Sequence, residues 1–181
     1  MLRVDASEDE ITVETALDGV HNANGLAWGS EGETVLNDAS GGALQRLLGD
    51  PFGQLEVDER IQLDSGLDNP SYYHDHYDTP GIDASMYILA GALRGVDLGR
   101  NCRNPNGIDP WVVWSVKKNE NENGTGWEKK VLVEDDGRWM RSASTALIVG
   151  IDPKENGGRK QGWLVVAGLY AEGIGMIKVD L

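Results

Sequence analysis

The 181-residue sequence carries one cysteine, one phenylalanine, three histidines, and 16 lysines and arginines against 30 aspartates and glutamates. A lone Cys102 excludes an intrachain disulfide, and without a CxxC pair it gives no reason to expect thiol chemistry. The net charge of −14 argues against nucleic acid as a partner, because binding phosphates needs clustered lysine and arginine. The same field repels anionic lipid and draws cations, although acidity also serves plain solubility. No stretch of apolar residues is long enough to span a membrane as a helix. The opening "MLRVDASEDE" lacks a basic stretch followed by an apolar core, so no signal peptide is visible and no compartment is assigned. Nucleophile-elbow, HExxH, Walker and dinucleotide motifs are missing too.

What is present is glycine, 24 of them, and 40% hydrophobic residues in short runs. Strand signals fall at Ile11–Thr15, Gly25–Trp28, Thr34–Leu36, Met86–Leu89, Trp111–Val116, Lys130–Val133, Ala146–Gly150, Trp163–Ala167 and Met176–Val179. Each is rich in β-branched or aromatic residues and bounded by turn formers. The best helical candidate is Gly42–Leu48, "GALQRLL". A loose repeat orders the strands. "NGLAWGSEGETVLNDASGGALQRL", "LDNPSYYHDHYDTPGIDASMYILAGALRGVDL" and "STALIVGIDPKENGGRKQGWLVVAGLYAEGIGMIKVDL" each read strand, turn, strand, glycine break, strand. Repeats of about forty residues with three or four strands predict an all-β chain of β-propeller type. About three blades are expected in one partial domain, at roughly 1–60, 61–117 and 118–181. Three blades do not close a ring, because known propellers have at least four.

Asn24 opens the first repeat and Asp68-Asn69 the second, each just before a strand. If the repeats stack radially, these hard oxygen donors converge, and a mixed carboxamide–carboxylate set suits Ca²⁺. The competing reading is that "NANG" and "DNP" are ordinary turns. His21 and Asn22 are neighbours of Asn24 that serve the turn as readily as any chemistry. His74 and His76 would share a face on a strand, but "YYHDHYD" runs into a turn signal and reads as a solvated loop. "DPKENGG", Asp152–Gly158, lacks EF-hand alternation and reads as a hairpin tip. Asn123-Gly124-Thr125 is a formal glycosylation sequon, and the six tryptophans read as packing between repeats rather than a sugar platform.

At "NANGLAWGSEGETVLND" and "IQLDSGLDNPS" the chain resembles the paraoxonase/arylesterase family and its gluconolactonase/regucalcin-like relatives. The last segments, "EDDGRWMRSASTALIVG" and "GWLVVAGLYAEGIGMIKVDL", are similar to that family's final blade and closing strand. The resemblance implies a six-bladed β-propeller of which this chain corresponds to the C-terminal half. It also implies a central calcium ion with Asn24, Asp68 and Asn69 on ligand positions, polarising an ester or lactone carbonyl. The departures are specific. The family's remaining ligands, a Glu among them, and its histidine dyad match nothing here; His74 and His76 do not fill that role. "GALRG" stands where paraoxonases carry a Cys-His-Pro-Asn-Gly segment, and Val179 stands at the family's C-terminal cysteine.

Two functions are therefore expected. One is a calcium-dependent hydrolase of the arylesterase/lactonase type, acting on a small ester or lactone, with no catalytic residue assigned. The other is a non-catalytic propeller, a binding protein, scaffold or inactive fragment with a remnant metal site. An open half-propeller would expose a strand edge and an apolar face, on which two copies could associate.

Overall fold

A computed structural model describes residues 1–7, 11–49, 53–77, 83–101, 103–104, 106–119 and 126–181. Cys102, the sequon and the turn signal at 78–81 lie outside the described residues.

The strands are β1 (Leu2–Asp5), β2 (Thr12–Thr15), β3 (Ala23–Trp28), β4 (Thr34–Asp38), β5 (Ala43–Gly49), β6 (Leu55–Gln62) and β7 (Gly66–Tyr73). They continue with β8 (Met86–Ala92), β9 (Trp111–Lys118), β10 (Trp127–Asp135), β11 (Ala143–Ile151), β12 (Gln161–Gly168) and β13 (Ile174–Asp180). Among the described residues the only helical pieces are a 3₁₀ turn at Ser30–Gly32 and the short helix α1 (Gly95–Asn101). The chain is all-β, as the glycine-punctuated strand signals predict.

After the β1–β2 hairpin, sequential antiparallel pairing builds three meanders: β3-β4-β5-β6, β7-β8-β9-β10 and β11-β12-β13. The sequence division at 117/118 falls at the last residue of β9, ahead of its antiparallel partner β10. β11 meets β7 in parallel, through the single register pair Thr145↔Asn69, and β3 packs beside β7. The first strands of the three meanders thus lie side by side.

Hydrophobic faces hold the meanders together. On β8 the run "MYILA" splits by the two-residue strand period. Tyr87 and Leu89 enter a core with Val35, Leu44 and Ile61 of the first meander. Met86, Ile88 and Ala90 enter a second core with Ile148, Leu164 and Val166 of the third. A strand buried on both sides cannot show simple alternation. The same fact corrects the helical expectation for Gly42–Leu48, which forms β5 and pairs with both β4 and β6. Leu44 and Leu47 look alike at helical spacing, yet Leu44 belongs to the core shared with the second meander and Leu47 to one with Leu17 and Leu36. Gly42, at φ +59, makes the turn that starts the strand.

The outer side of the third meander keeps its apolar residues exposed: Leu147, Val149, Trp163, Ile174 and Met176. Of the six tryptophans, Trp111, Trp114 and Trp127 pack and hydrogen-bond through their indole nitrogens, while Trp28, Trp139 and Trp163 remain exposed. The Asp152–Gly158 segment lies in the β11–β12 connection, as a hairpin tip should.

Just beyond β7, the Asp75 carboxylate accepts from the Tyr77 and Ala84 backbone N–H groups at 3.1 and 3.0 Å and pairs with Lys160. Both side chains are almost fully buried, and Lys160 lies between β11 and β12, so the pair clasps the second and third meanders. Burial alone would raise the Asp75 carboxyl; Lys160 and the two N–H donors outweigh it and hold the carboxyl below its usual value. A lowered native pKa contributes stability above the ordinary carboxylate range, and that contribution is lost as pH falls through the lowered value. Asp75→Asn should therefore cost about 1.5–3 kcal/mol at pH 7, by removing the carboxylate from its buried pairing with Lys160 and its two N–H donors. Denaturant titrations should show the gap from wild type narrowing as pH drops below about 4. A gap that stays constant with pH would contradict this account of the clasp.

Candidate metal and ligand site

Each of the three side-by-side strands is bulged near its start. Between β3 and β4 the register jumps from Ala23↔Asp38 to Leu26↔Leu36, so Asn24 and Gly25 together face Asn37. Between β7 and β8 it jumps from Leu67↔Gly91 to Pro70↔Leu89, placing Asp68 and Asn69 opposite Ala90. Between β11 and β12 it jumps from Ala143↔Gly168 to Thr145↔Ala167, leaving Ser144 extra. A bulge frees main-chain groups from the ladder and re-aims side chains. Pro70, which has no N–H to give, is tolerated at such a place.

The bulges come together. The Asn24 and Asp68 side chains line the same cavity, with the Asn24 carboxamide near enough to the Asp68 carboxylate to favour its charged form. The Asn69 amide donates to the Ser144 carbonyl at 3.2 Å. Gly25 lies so close to the second bulge that a Cβ there would sit 2.6 Å from Asn69 Cα, 2.4 Å from Pro70 Cδ and 2.9 Å from Asn69 Oδ1. The missing side chain is what lets β3 approach β7, and it places the Asn69 carbonyl oxygen towards the strand that bears Asn24.

Burial raises the Asp68 carboxyl, and the neighbouring Asn24 carboxamide opposes the rise. No lysine or arginine pairs with Asp68 among the described residues. A half-buried carboxylate with no cation beside it, next to two carboxamides, is a hard oxygen set of the chemistry that suits Ca²⁺. Among the described residues, no group of three or more His, Cys, Asp and Glu side chains could hold a metal. Any ion held here would therefore rely on the asparagine oxygens as well as one carboxylate.

Asn24 and Asp68 line a cavity of about 430 Å³ with Asn22, Ser40, Ser142 and Ser144 on the polar side. Leu67, Ala92, Leu98 and Leu169 form its apolar wall. Leu98 comes from α1, which occupies the segment following "GALRG" and was not foreseen from sequence; Asp97 in its first turn and Arg100 in its last suit the helix dipole. Ser142, with φ +53, is anchored by its hydroxyl to the buried Asp109 carboxylate at 3.0 Å, which Arg141 also grips at 2.7 and 2.9 Å. That network fixes the cavity rim at the start of β11.

The other polar residues of the first repeat take supporting places. His21 is exposed, with Nδ1 3.6 Å from the buried carboxylate of Asp38, which caps the Gly41 N–H and binds Arg60. Asn22 donates to the Ser40 hydroxyl at 3.0 Å. His74 and His76 sit past the end of β7, exposed, ring against ring at 4.8 Å, and away from the cavity. Sequence reasoning missed Ser144, Leu98 and Asn37, none of which stands in a recognisable motif.

No family model matches the chain, and no curated protein matches it.

Gly25→Ala tests the close approach directly. Two of the clashing atoms belong to the backbone or a proline ring, which cannot swing aside as a flexible chain end could. The substitution should destabilise the fold by about 1–3 kcal/mol in chemical denaturation. A variant as stable as wild type would mean that β3 and β7 are not so closely apposed.

Proposed function

We propose that the chain is part of a calcium-dependent hydrolase of the arylesterase/lactonase type, with Asn24, Asp68 and Asn69 holding the ion. In this reading the three meanders are blades of a β-propeller, corresponding to half of a six-bladed ring, and β3, β7 and β11 face its channel. The exposed apolar side of the third meander is then the face on which a further blade, or a second copy, would pack. The observation that carries the proposal is that bulges on neighbouring strands bring Asn24 and Asp68 to one apolar-walled cavity, with Asn69 beside Asp68 in the same bulge.

Bound calcium would polarise an ester or lactone carbonyl and stabilise the oxyanion formed as water adds. The residues of this chain then have separate tasks. Asn24 and Asn69 supply neutral oxygens and Asp68 the charge. Leu67, Ala92, Leu98 and Leu169 receive the apolar part of the substrate and displace water. The volume of the cavity suits a small ester or lactone.

A second reading has its own support: among the described residues lining the cavity, Asp68 is the only carboxylate and no histidine is present. A propeller that binds an apolar ligand beside a metal, without turnover, fits that lining. One set of measurements separates the two. The hydrolase reading expects turnover of an aryl acetate or a lactone that chelator abolishes and calcium restores. It also expects Asn24→Ala and Asp68→Ala each to weaken calcium binding by tenfold or more in calorimetry. Calcium-dependent thermal stabilisation without turnover would support the binding protein instead. Unchanged calcium affinity in both variants would exclude the site altogether.

A further inference from the structure

We infer that Asn37, which forms no part of the cavity wall, is a positioning residue for Asp68 and sets the affinity of the oxygen site for calcium. This rests on the calcium reading of that site. Asn37 sits on β4 opposite the Asn24–Gly25 bulge and has no exposed surface. Its Nδ2 donates to the main-chain carbonyl of Asp68 at 2.5 Å. That carbonyl belongs to the bulge, where pairing with β8 is interrupted.

The bulge is thus held from both sides by carboxamides. Asn37 grips residue 68 from the first meander, and Asn69 reaches to Ser144 on the third. With its main-chain carbonyl fixed, Asp68 presents its carboxylate to Asn24 in a set direction; without that bond, residue 68 can rotate. Packing alone does not explain an asparagine here. Its Oδ1 is buried without a hydrogen-bond partner, so a leucine of similar size would fill the space with no polar atom to satisfy. The carboxamide is justified by the single bond it makes.

Ligand-orienting partners of this kind are worth about 10- to 100-fold in metal affinity. The test is calcium titration calorimetry on the whole chain, together with thermal unfolding in chelator, for wild type, Asn37→Leu and Asn37→Ala. The control is Ser71→Ala, which removes another bridge between strands, from Ser71 Oγ to the Ala146 carbonyl at 2.6 Å. The expected result is a loss of at least tenfold in calcium affinity for both Asn37 variants. Asn37→Leu should keep its unfolding temperature in chelator within a few degrees of wild type, and Ser71→Ala should keep its calcium affinity. Asn37→Ala supplies the reading if the leucine variant does not fold. Wild-type affinity in a folded Asn37 variant, or an equal loss in Ser71→Ala, overturns the positioning role alone. A wild-type chain that binds no calcium overturns the calcium reading and this inference together.

Discussion

The structure depends on how neighbouring first strands meet. Within each meander the ladder satisfies the backbone, but between meanders it almost stops: β7 and β11 share one register pair, Thr145↔Asn69. Cohesion there comes from buried faces, with β8 contributing to both main cores, and from side chains that reach a neighbour's main chain. Asn37 to Asp68, Asn69 to Ser144 and Ser71 to Ala146 are such reaches. The same geometry that leaves main-chain groups unpaired between meanders gathers polar side chains at one level. A polar site at this junction follows from the way the strands are joined.

Much of this was readable in the residues. Short β-branched runs between glycines predict the all-β chain, and Asn24-Gly25 reads as a strand opening or an ordinary turn. That the backbone at Gly25 comes close to Asn69 and Pro70 is supplied by the structure. Strands buried on both faces were hardest to read, because burial on both sides erases alternation. Gly42–Leu48 therefore resembles a helix and becomes β5. β7 was hidden for another reason: Asp68-Asn69-Pro70 is turn chemistry, and here it is spent on a bulge within a strand. Asn37 lies inside "TVLND" with nothing in its spacing to separate it from the rest of the strand. Its importance comes from a partner 31 residues away.

The charge of the molecule acts at two levels. The net charge of −14 sets a field that favours cations everywhere on the surface, without choosing a place. The place is chosen locally. Asp38, Asp75 and Asp109 are each paired with a basic side chain, whereas Asp68 has a carboxamide beside it and a raised carboxyl. Three acidic groups stabilise the fold and one is left for another partner. That difference in partners, more than the number of acids, separates the site from the scaffold.

The most direct test of the central claim is crystallographic: a structure of the chain with calcium, or with a lanthanide located by its anomalous signal. The account predicts one ion between β3 and β7, with oxygens of Asn24, Asp68 and Asn69 at roughly 2.3–2.6 Å. An ion bound elsewhere, or these three side chains turned apart in a calcium-saturated crystal, would contradict it.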